Sequence, residues 1–455
     1  MYPFLALICF ALSLLLPLRP VAQTTARPNI VFILTDDQRA DALGYAGNAL
    51  IRTPEMDRLA AEGVYFHNAF VTTPICAASR ASIITGTYER THGYTFQQPP
   101  LPPARIAESY FTLTRKAGYH TGFLGKLGVS FENQLDTTLF DVYQPERTGF
   151  YWRLNADGTQ QVHLTDLMGQ RAVAFIENAP DDRPFCLSIS FNAPHAEDLY
   201  PGQYLWPSDL DSLYEEVDIP DPQLGEDIYF QRQPEFVQKG YNRARWHWRY
   251  DSPEKYQHSV KGYYRMISAV DRCIGMVRRA LEAKGLEGNT VILFSSDNGL
   301  FLGERQLAGK WLLYDLSLRV PLILLDPRVE RHREVRDIAL NVDIPATILD
   351  LAGIPLPSSY EGKSLLGYTR GETPLSDRAS FLCEHLWEFA FIPPSEGIRT
   401  RKWKYFRYRH HPEHRELYDL EADPEEIHNL IDLDEYKPVT EQLERELQDL
   451  IRSRN

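Results

Sequence analysis

Residues 29–34 read Asn-Ile-Val-Phe-Ile-Leu, an apolar run rich in β-branched side chains. A strand that is apolar on both faces has to be covered on both faces, as in the interior of a parallel sheet flanked by helices. Residues 184–191 and 290–294 repeat the pattern. Between and beyond these runs, residues 54–63, 105–118, 166–178, 261–284 and 343–352 read as helices. In the longest of them Tyr264, Ile267, Val270, Ile274, Val277 and Leu281 recur at helical spacing. Alternating strands and helices predict an α/β fold, a large mixed, mostly parallel sheet flanked by helices.

Each of the three strand-like runs is followed at once by side chains able to do chemistry. The first leads to Thr35-Asp36-Asp37-Gln38, the second to Asn192-Ala193-Pro194-His195, the third to Ser296-Asp297-Asn298-Gly299. Open α/β sheets bind ligands at the C-terminal ends of their strands. Adjacent carboxylates repel unless water or a cation relieves them. Asp36, Asp37, Asp297 and Asn298 therefore read as an all-oxygen site for a hard divalent cation, against the plainer reading of solvated turns and helix caps. His195 reads as a general acid or as a structural histidine. Residues 120–126 are a short strand ending in Gly125-Lys126, and Gly309-Lys310 supplies a second lysine; each either reaches an anion or sits on the surface.

Pro74-Ile75-Cys76-Ala77-Ala78-Ser79-Arg80 places a cysteine four residues before an arginine. On a helix opening near Cys76 the two share one face. A cysteine, a guanidinium fork and a helix N-terminus together suit a tetrahedral oxyanion. Alone, the cysteine reads equally as a buried small hydrophobe.

The formal net charge of −14 over 455 residues argues against nucleic acid as a partner, because phosphate binding needs a basic face. Residues 4–18 are almost wholly apolar, too short for a comfortable span, and end in Pro20-Val21-Ala22. Residues 1–22 thus read as a signal peptide, and the mature chain as exported, periplasmic or secreted, with no stable membrane insertion. Cys9 leaves with that segment; Cys186, Cys273 and Cys383 are scattered in apolar stretches and read as buried free thiols. Residues 200–259 look like a long irregular insertion, in which Arg243, Arg245, Trp246, His247, Trp248 and Arg249 cluster. Guanidinium groups beside indole rings suit anionic sugars, or else pack the insertion on itself. Beyond residue 364 short strands near 380–383, 398–400, 403–407 and 417–419, and a helix over 439–452, predict a C-terminal α+β subdomain over 365–455, appended to a catalytic domain over 23–364.

In this order the motifs resemble the formylglycine-dependent sulfatases of the alkaline phosphatase superfamily. Cys76-Ala77-Ala78-Ser79-Arg80 is similar to the family's Cys-x-Pro/Ala-x-Arg signature, and Leu417-Tyr418-Asp419-Leu420 with Asp423-Pro424 and Asn429-Leu430 to its C-terminal pattern. The resemblance implies that a separate maturase oxidises Cys76 to formylglycine (3-oxoalanine), whose hydrate attacks sulfur and later releases sulfate by regenerating the aldehyde. It implies one calcium ion held by Asp36, Asp37, Asp297, Asn298 and the modified Cys76. It gives Arg80, Lys126 and Lys310 the charge on the sulfate, and His195 the proton for the leaving alcohol.

Two positions depart from the family. Gly128 stands where many relatives have a histidine that assists sulfate release. Gly303-Glu304-Arg305-Gln306 replaces a frequent Gly-Glu-His-Gly, so Arg305 is a candidate to read a substrate group. Export and the Arg/Trp cluster favour a sulfated carbohydrate, with Arg243, Trp246, Trp248 and Arg305 as contacts and His385, Trp387 and Arg399 completing the pocket. The alternatives are a phosphomonoester or phosphonate hydrolase of the same superfamily, and a non-catalytic glycan- or anion-binding protein.

Overall fold

The structure is a computed structural model that describes residues 27–96, 99–132, 138–147, 149–154, 158–329, 332–372 and 378–454. The expected signal peptide over residues 1–22 lies outside the described residues. Among those described, no helix is long and apolar enough to cross a membrane.

Among the described residues, twelve strands fall before residue 341. They are β1 (Asn29–Thr35), β2 (Val64–Phe70), β3 (His120–Lys126), β4 (Val142–Glu146), the short pair β5 (Trp152–Leu154) and β6 (Gln161–His163), β7 (Phe185–Ser190), β8 (Thr290–Ser296), the short pair β9 (Phe301–Leu302) and β10 (Ala308–Gly309), β11 (Leu322–Leu325) and β12 (Arg333–Leu340). Eight of these form one sheet in the order β12-β2-β11-β8-β1-β7-β3-β4. β11 runs antiparallel to both neighbours, and the other pairings are parallel.

β1 occupies the middle because its sequence has no wet face. Ile30, Phe32 and Leu34 point into one core, Val31 and Ile33 into the other, and all are buried. The register aligns the strand ends: Thr35 pairs with Ser296, Leu34 with Ser190, and Gly125 with Ser190. The residues after β1, β7 and β8 and the last residue of β3 therefore emerge side by side at one edge.

Several expectations need correction. The single helix over 105–118 is two, Pro103–Ala107 and Tyr110–Lys116. Ser109 causes the break: its hydroxyl donates to the Ile106 carbonyl and accepts from the Thr112 amide, ending one helix and capping the next. Residues 200–259 hold the helices Asp227–Gln231, Glu235–Gln238 and Tyr241–Arg249, so the insertion is far from irregular. The long helix begins at Pro253, eight residues before the expected start at residue 261, because Ser252 caps it and Pro253 suits its first turn. Sequence reasoning also missed β4 and β12, the two edges of the sheet, whose mixed burial hides the apolar signal.

The C-terminal region is an antiparallel sheet, β13 (Ser380–His385), β14 (Ser395–Thr400), β15 (Trp403–Tyr408) and β16 (His411–Asp419), with the helix Lys437–Arg452 against it. Phe381, Ile398, Phe406 and Leu443 join the same buried cluster as Ile30 and Phe32. The subdomain thus shares a core with the main sheet.

Candidate active site

β2 delivers the chain to the helix Cys76–Thr85, every residue of which is buried. Small side chains at Ala77, Ala78, Ser79, Ala81 and Ser82 let it sit deep in the fold, and Gly86 ends it in the left-handed conformation. Cys76 opens this helix, and Arg80 follows one turn later on the same face.

Arg80 ties four strand ends together. Its Nε donates to Asp297 Oδ2 at 2.7 Å after β8, and its Nη1 to the Lys126 carbonyl at 2.7 Å and Ser190 Oγ at 2.5 Å, ending β3 and β7. Its Nη2 lies 3.4 Å from Asp36 Oδ2 after β1. Burial disfavours the guanidinium charge, but Asp297 and Asp36 outweigh it and bind its proton more tightly than usual.

Three buried carboxylates converge here. Asp37 has a positive φ of 69°, a strained conformation that turns its amide to Asp297 Oδ1 at 3.2 Å. Asn298 Nδ2 donates to Asp37 Oδ1 at 2.6 Å. The Lys126 ammonium contacts the Asp36 carboxylate and the Lys310 ammonium contacts that of Asp37, with Lys310 Nζ also 3.8 Å from Asp36 Oδ1. Burial alone would raise Asp36, but Lys126, His195, Arg80 and Lys310 hold it well below the ordinary carboxylate range. Burial followed by repulsion from Asp36 pushes Asp297 up to about 6.

These residues fit a hard cation. Asp36 Oδ1 and Asn298 Oδ1 are buried and have no hydrogen-bond partner among the described residues, an expensive condition for oxygen atoms. Ligand atoms of Asp36, Asp37 and His195 lie within 4.8 Å of one another. With Asp297 and Asn298 adjacent, the donor set is mainly oxygen and strongly anionic, as calcium prefers.

His195 Nε2 lies 3.8 Å from Asp37 Oδ2, and its buried Nδ1 has no partner among the described residues. Burial pulls its imidazolium down to about 4 against the opposing pull of Asp37 and Asp36, so the ring is neutral at pH 7. Cys76, Lys126, His195 and Lys310 share one cavity of about 500 Å³, within the range of small-molecule sites. Gly128 lies on its wall with φ +71°, and a Cβ there would stand 2.7 Å from Arg80 Cδ.

None of the six expected substrate contacts Arg243, Trp246, Trp248, Arg305, His385 and Arg399 lines this cavity, whereas Trp387 does. The Arg243 guanidinium is sandwiched between Phe230 at 3.9 Å and Trp246 at 4.0 Å and donates to Gln306. Trp248 meets Tyr241 edge-on at 5.6 Å. Arg305 donates to the Glu425 and Glu426 carbonyls and stacks over Tyr314, pinning the C-terminal region. His385 is fully buried, and Arg399 pairs with Asp315 over the Phe70 ring. Arg245, a member of the expected Arg/Trp cluster, lines it instead, together with Asp198, Tyr241, Trp311 and Phe389, which sequence reasoning did not select.

Comparison with known proteins agrees with this geometry. The sulfatase family model matches residues 28–354, and the C-terminal model of N-sulphoglucosamine sulphohydrolase matches residues 303–453. An N-acetylglucosamine-6-O-sulfatase of Bacteroides thetaiotaomicron is 28% identical over 493 residues, covering 94% of this chain and 86% of that protein. An arylsulfatase of Clostridium perfringens is 30% identical over 461 residues, covering 90% and 92%. The solved structure of a protein in complex with its substrate D-glucosamine-2-N,6-O-disulfate matches with a TM-score of 0.79 and 25% identity, covering 94% of this chain and 98% of that one. The chain belongs to the sulfatase family of the alkaline phosphatase superfamily and is a sulfuric ester hydrolase.

Proposed function

We propose that this sulfatase is exported and removes sulfate from a sulfated carbohydrate, using formylglycine made from Cys76 by a separate maturase and one calcium ion held by Asp36, Asp37, Asp297 and Asn298. The observation that carries the reading is the convergence of Cys76, Lys126, Lys310 and His195 on one cavity, with Arg80 tied to Asp297 behind it, beside that oxygen cradle. The substrates of the Bacteroides relative and of the structurally similar protein, both sulfated glucosamines by name, support the carbohydrate. The apolar segment over residues 4–18 supports export.

Formylglycine at Cys76 would supply a nucleophilic oxygen and a route for sulfate release, and calcium held by Asp36, Asp37, Asp297 and Asn298 would supply positive charge. The chain's own residues do the rest. Lys126 and Lys310, already beside Cys76, take up the negative charge of the sulfate as the S–O bond breaks. Arg80 fixes the strand ends so that these donors need not reorganise. An anionic ester beside His195 draws the imidazole toward its protonated form, which hands a proton to the leaving alkoxide.

The test co-expresses the chain with a formylglycine-generating maturase, takes a mass spectrum of the peptide spanning Cys76, and measures sulfate release from sulfated sugars against phosphate release from aryl phosphate. Formylglycine at Cys76 with sulfate release dominant supports the reading. An intact thiol at Cys76 in active enzyme, or faster phosphate release, overturns it.

A further inference from the structure

We infer that the cavity wall beside Cys76 carries a second anion-reading subsite centred on Arg245, so that the preferred substrate is a sulfated sugar bearing a further sulfate or carboxylate. This rests on the proposed function and narrows its substrate class.

The helix Tyr241–Arg249 puts Tyr241, Arg245 and Arg249 on one face at four-residue spacing, and that face turns toward the cavity. Asn242 holds the helix in place by donating to the Ala308 and Lys310 carbonyls at 2.9 Å, so it is fixed to the segment carrying the catalytic lysine. The Arg245 guanidinium lies 4.6 Å from the Trp311 ring and 5.1 Å from that of Tyr241. It pairs with Asp198, and the same carboxylate also pairs with Arg249. Arg249 is further satisfied by Gln203 Oε1 at 2.8 Å.

Two guanidinium groups therefore share the Asp198 carboxylate, which cannot neutralise both. Arg249 is sealed inside, so the charge is available to a ligand at Arg245, the member that lines the cavity. Arg245 is only 7% exposed, and its Nε is buried with no hydrogen-bond partner among the described residues. Buried donors are rarely left unpaired without a role. The scissile sulfate does not need this charge, because in the proposed function Arg80, Lys126 and Lys310 already serve it. A rigid, stacked guanidinium suits the planar or trigonal oxygen array of a carboxylate or sulfate.

The rest of the wall suits a sugar. The Trp387 and Phe389 rings stack at 4.8 Å with only 5° between their planes, and Phe389 is 38% exposed at the mouth. Such a flat apolar platform takes the C–H face of a pyranose, as aromatic side chains do when one side of their partner is apolar and the other wet.

The test uses matured enzyme on sulfated monosaccharides in matched pairs. One member of each pair carries a single sulfate ester; the other carries in addition a second sulfate or a uronic carboxylate. Wild type should prefer the doubly anionic member by about tenfold or more in kcat/KM, the worth of a hydrogen-bonded charge. Which arm shows the preference tells sulfate from carboxylate. Arg245→Met should reduce that preference by at least about tenfold, and Arg245→Lys should restore part of it. A wild-type preference for the singly charged member in every pair, or equal loss by R245M on both members, overturns the subsite. If R245M does not fold, Arg245→Lys carries the test: a reduced preference supports the subsite, and an unchanged one overturns it. Failure to release sulfate from any sugar, with formylglycine confirmed at Cys76, would sink the proposed function itself.

Discussion

Arg80 Nε lies 2.7 Å from Asp297 Oδ2, joining the helix that carries Cys76 to the end of β8. Both side chains are almost wholly buried. Removing one partner of such a pair strands the other charge, at about 3–5 kcal/mol. Arg80→Ala is thus expected to lower stability by that order and kcat by ~10²-fold or more. Arg80→Lys keeps the charge but loses the fork to Lys126 and Ser190, so it should recover stability better than activity. Thermal unfolding and sulfate-release kinetics on the same preparations check both; an R80A enzyme of wild-type stability would show that the pair is not what binds helix to sheet.

Cation removal is the second prediction. Lys126 and Lys310 already neutralise Asp36 and Asp37, so the fold should survive chelation. Activity should not. Calcium at a hundredfold excess over Kd should raise unfolding free energy by about 2.7 kcal/mol. Asp37→Asn should demand more calcium for the same gain. Calorimetry with and without chelator reads this directly, and an unchanged midpoint at saturating calcium would exclude the cradle as a calcium site.

Much of this site could be read from sequence because strand ends are short-range features. A buried strand announces itself by composition, and the next few residues of the chain must emerge at its end; that sufficed to place Asp36, Asp37, His195, Asp297 and Asn298 at one edge of the sheet. The substrate wall obeys a different rule. In the helix Tyr241–Arg249 the residue type pointed to the right segment, but burial is decided by helical phase. Arg245 faces inward while Arg243, two residues earlier, lies on the other side against Phe230 and Trp246. Without knowing which face met Lys310, phase could not be assigned. Asp198 gave no local signal, since its role depends on two arginines far along the chain, Arg245 and Arg249. Arg305 stands in a motif of altered sequence, yet its side chain serves the contact with Glu425 and Glu426.

Gly128 offers a sharper test of that same limit. Replacing it with the histidine that the sequence resemblance leads one to expect looks like a repair. Here φ is +71° and a Cβ would press on Arg80 Cδ at 2.7 Å. A left-handed conformation costs a residue with a Cβ about 1–2 kcal/mol before any clash. Gly128→Ala and Gly128→His should both destabilise the fold and slow turnover by displacing Arg80. Faster turnover by G128H would mean that the loop adapts and the family's histidine role can be restored.

Glu89 makes the region behind Cys76 pH-sensitive. Burial, then the nearby Glu384 carboxylate, pushes its carboxyl up to about 8 from 4.5. It accepts from Thr73 Oγ1 at 3.2 Å and the Leu386 amide at 3.3 Å, close to the loop leading into Cys76. The folded state holds its proton more tightly than the unfolded chain does. Its contribution to stability is therefore complete below about 4.5 and is lost as pH rises to about 8. Between those limits the slope is about 1.4 kcal/mol per pH unit. Glu89→Gln stays neutral throughout, so its stability relative to wild type should climb from pH 5 to pH 8. Denaturant unfolding at four pH values measures the difference, and parallel curves would place the Glu89 pKa near its ordinary value.

His195 separates the two halves of the reaction. Its ring faces the cavity beside Cys76, on the loop after β7 and apart from the helix that carries Cys76. If it protonates the leaving oxygen, its removal should matter most where that oxygen is a poor leaving group. His195→Ala is expected to slow release from a sugar sulfate by ~10²–10⁴-fold. On 4-nitrophenyl sulfate, whose phenolate departs without a proton, the loss should be far smaller. Plotting log kcat/KM against leaving-group pKa should give a steeper line for H195A than for wild type. Parallel lines would assign the histidine to positioning the sulfate, because a positioning defect slows every leaving group alike.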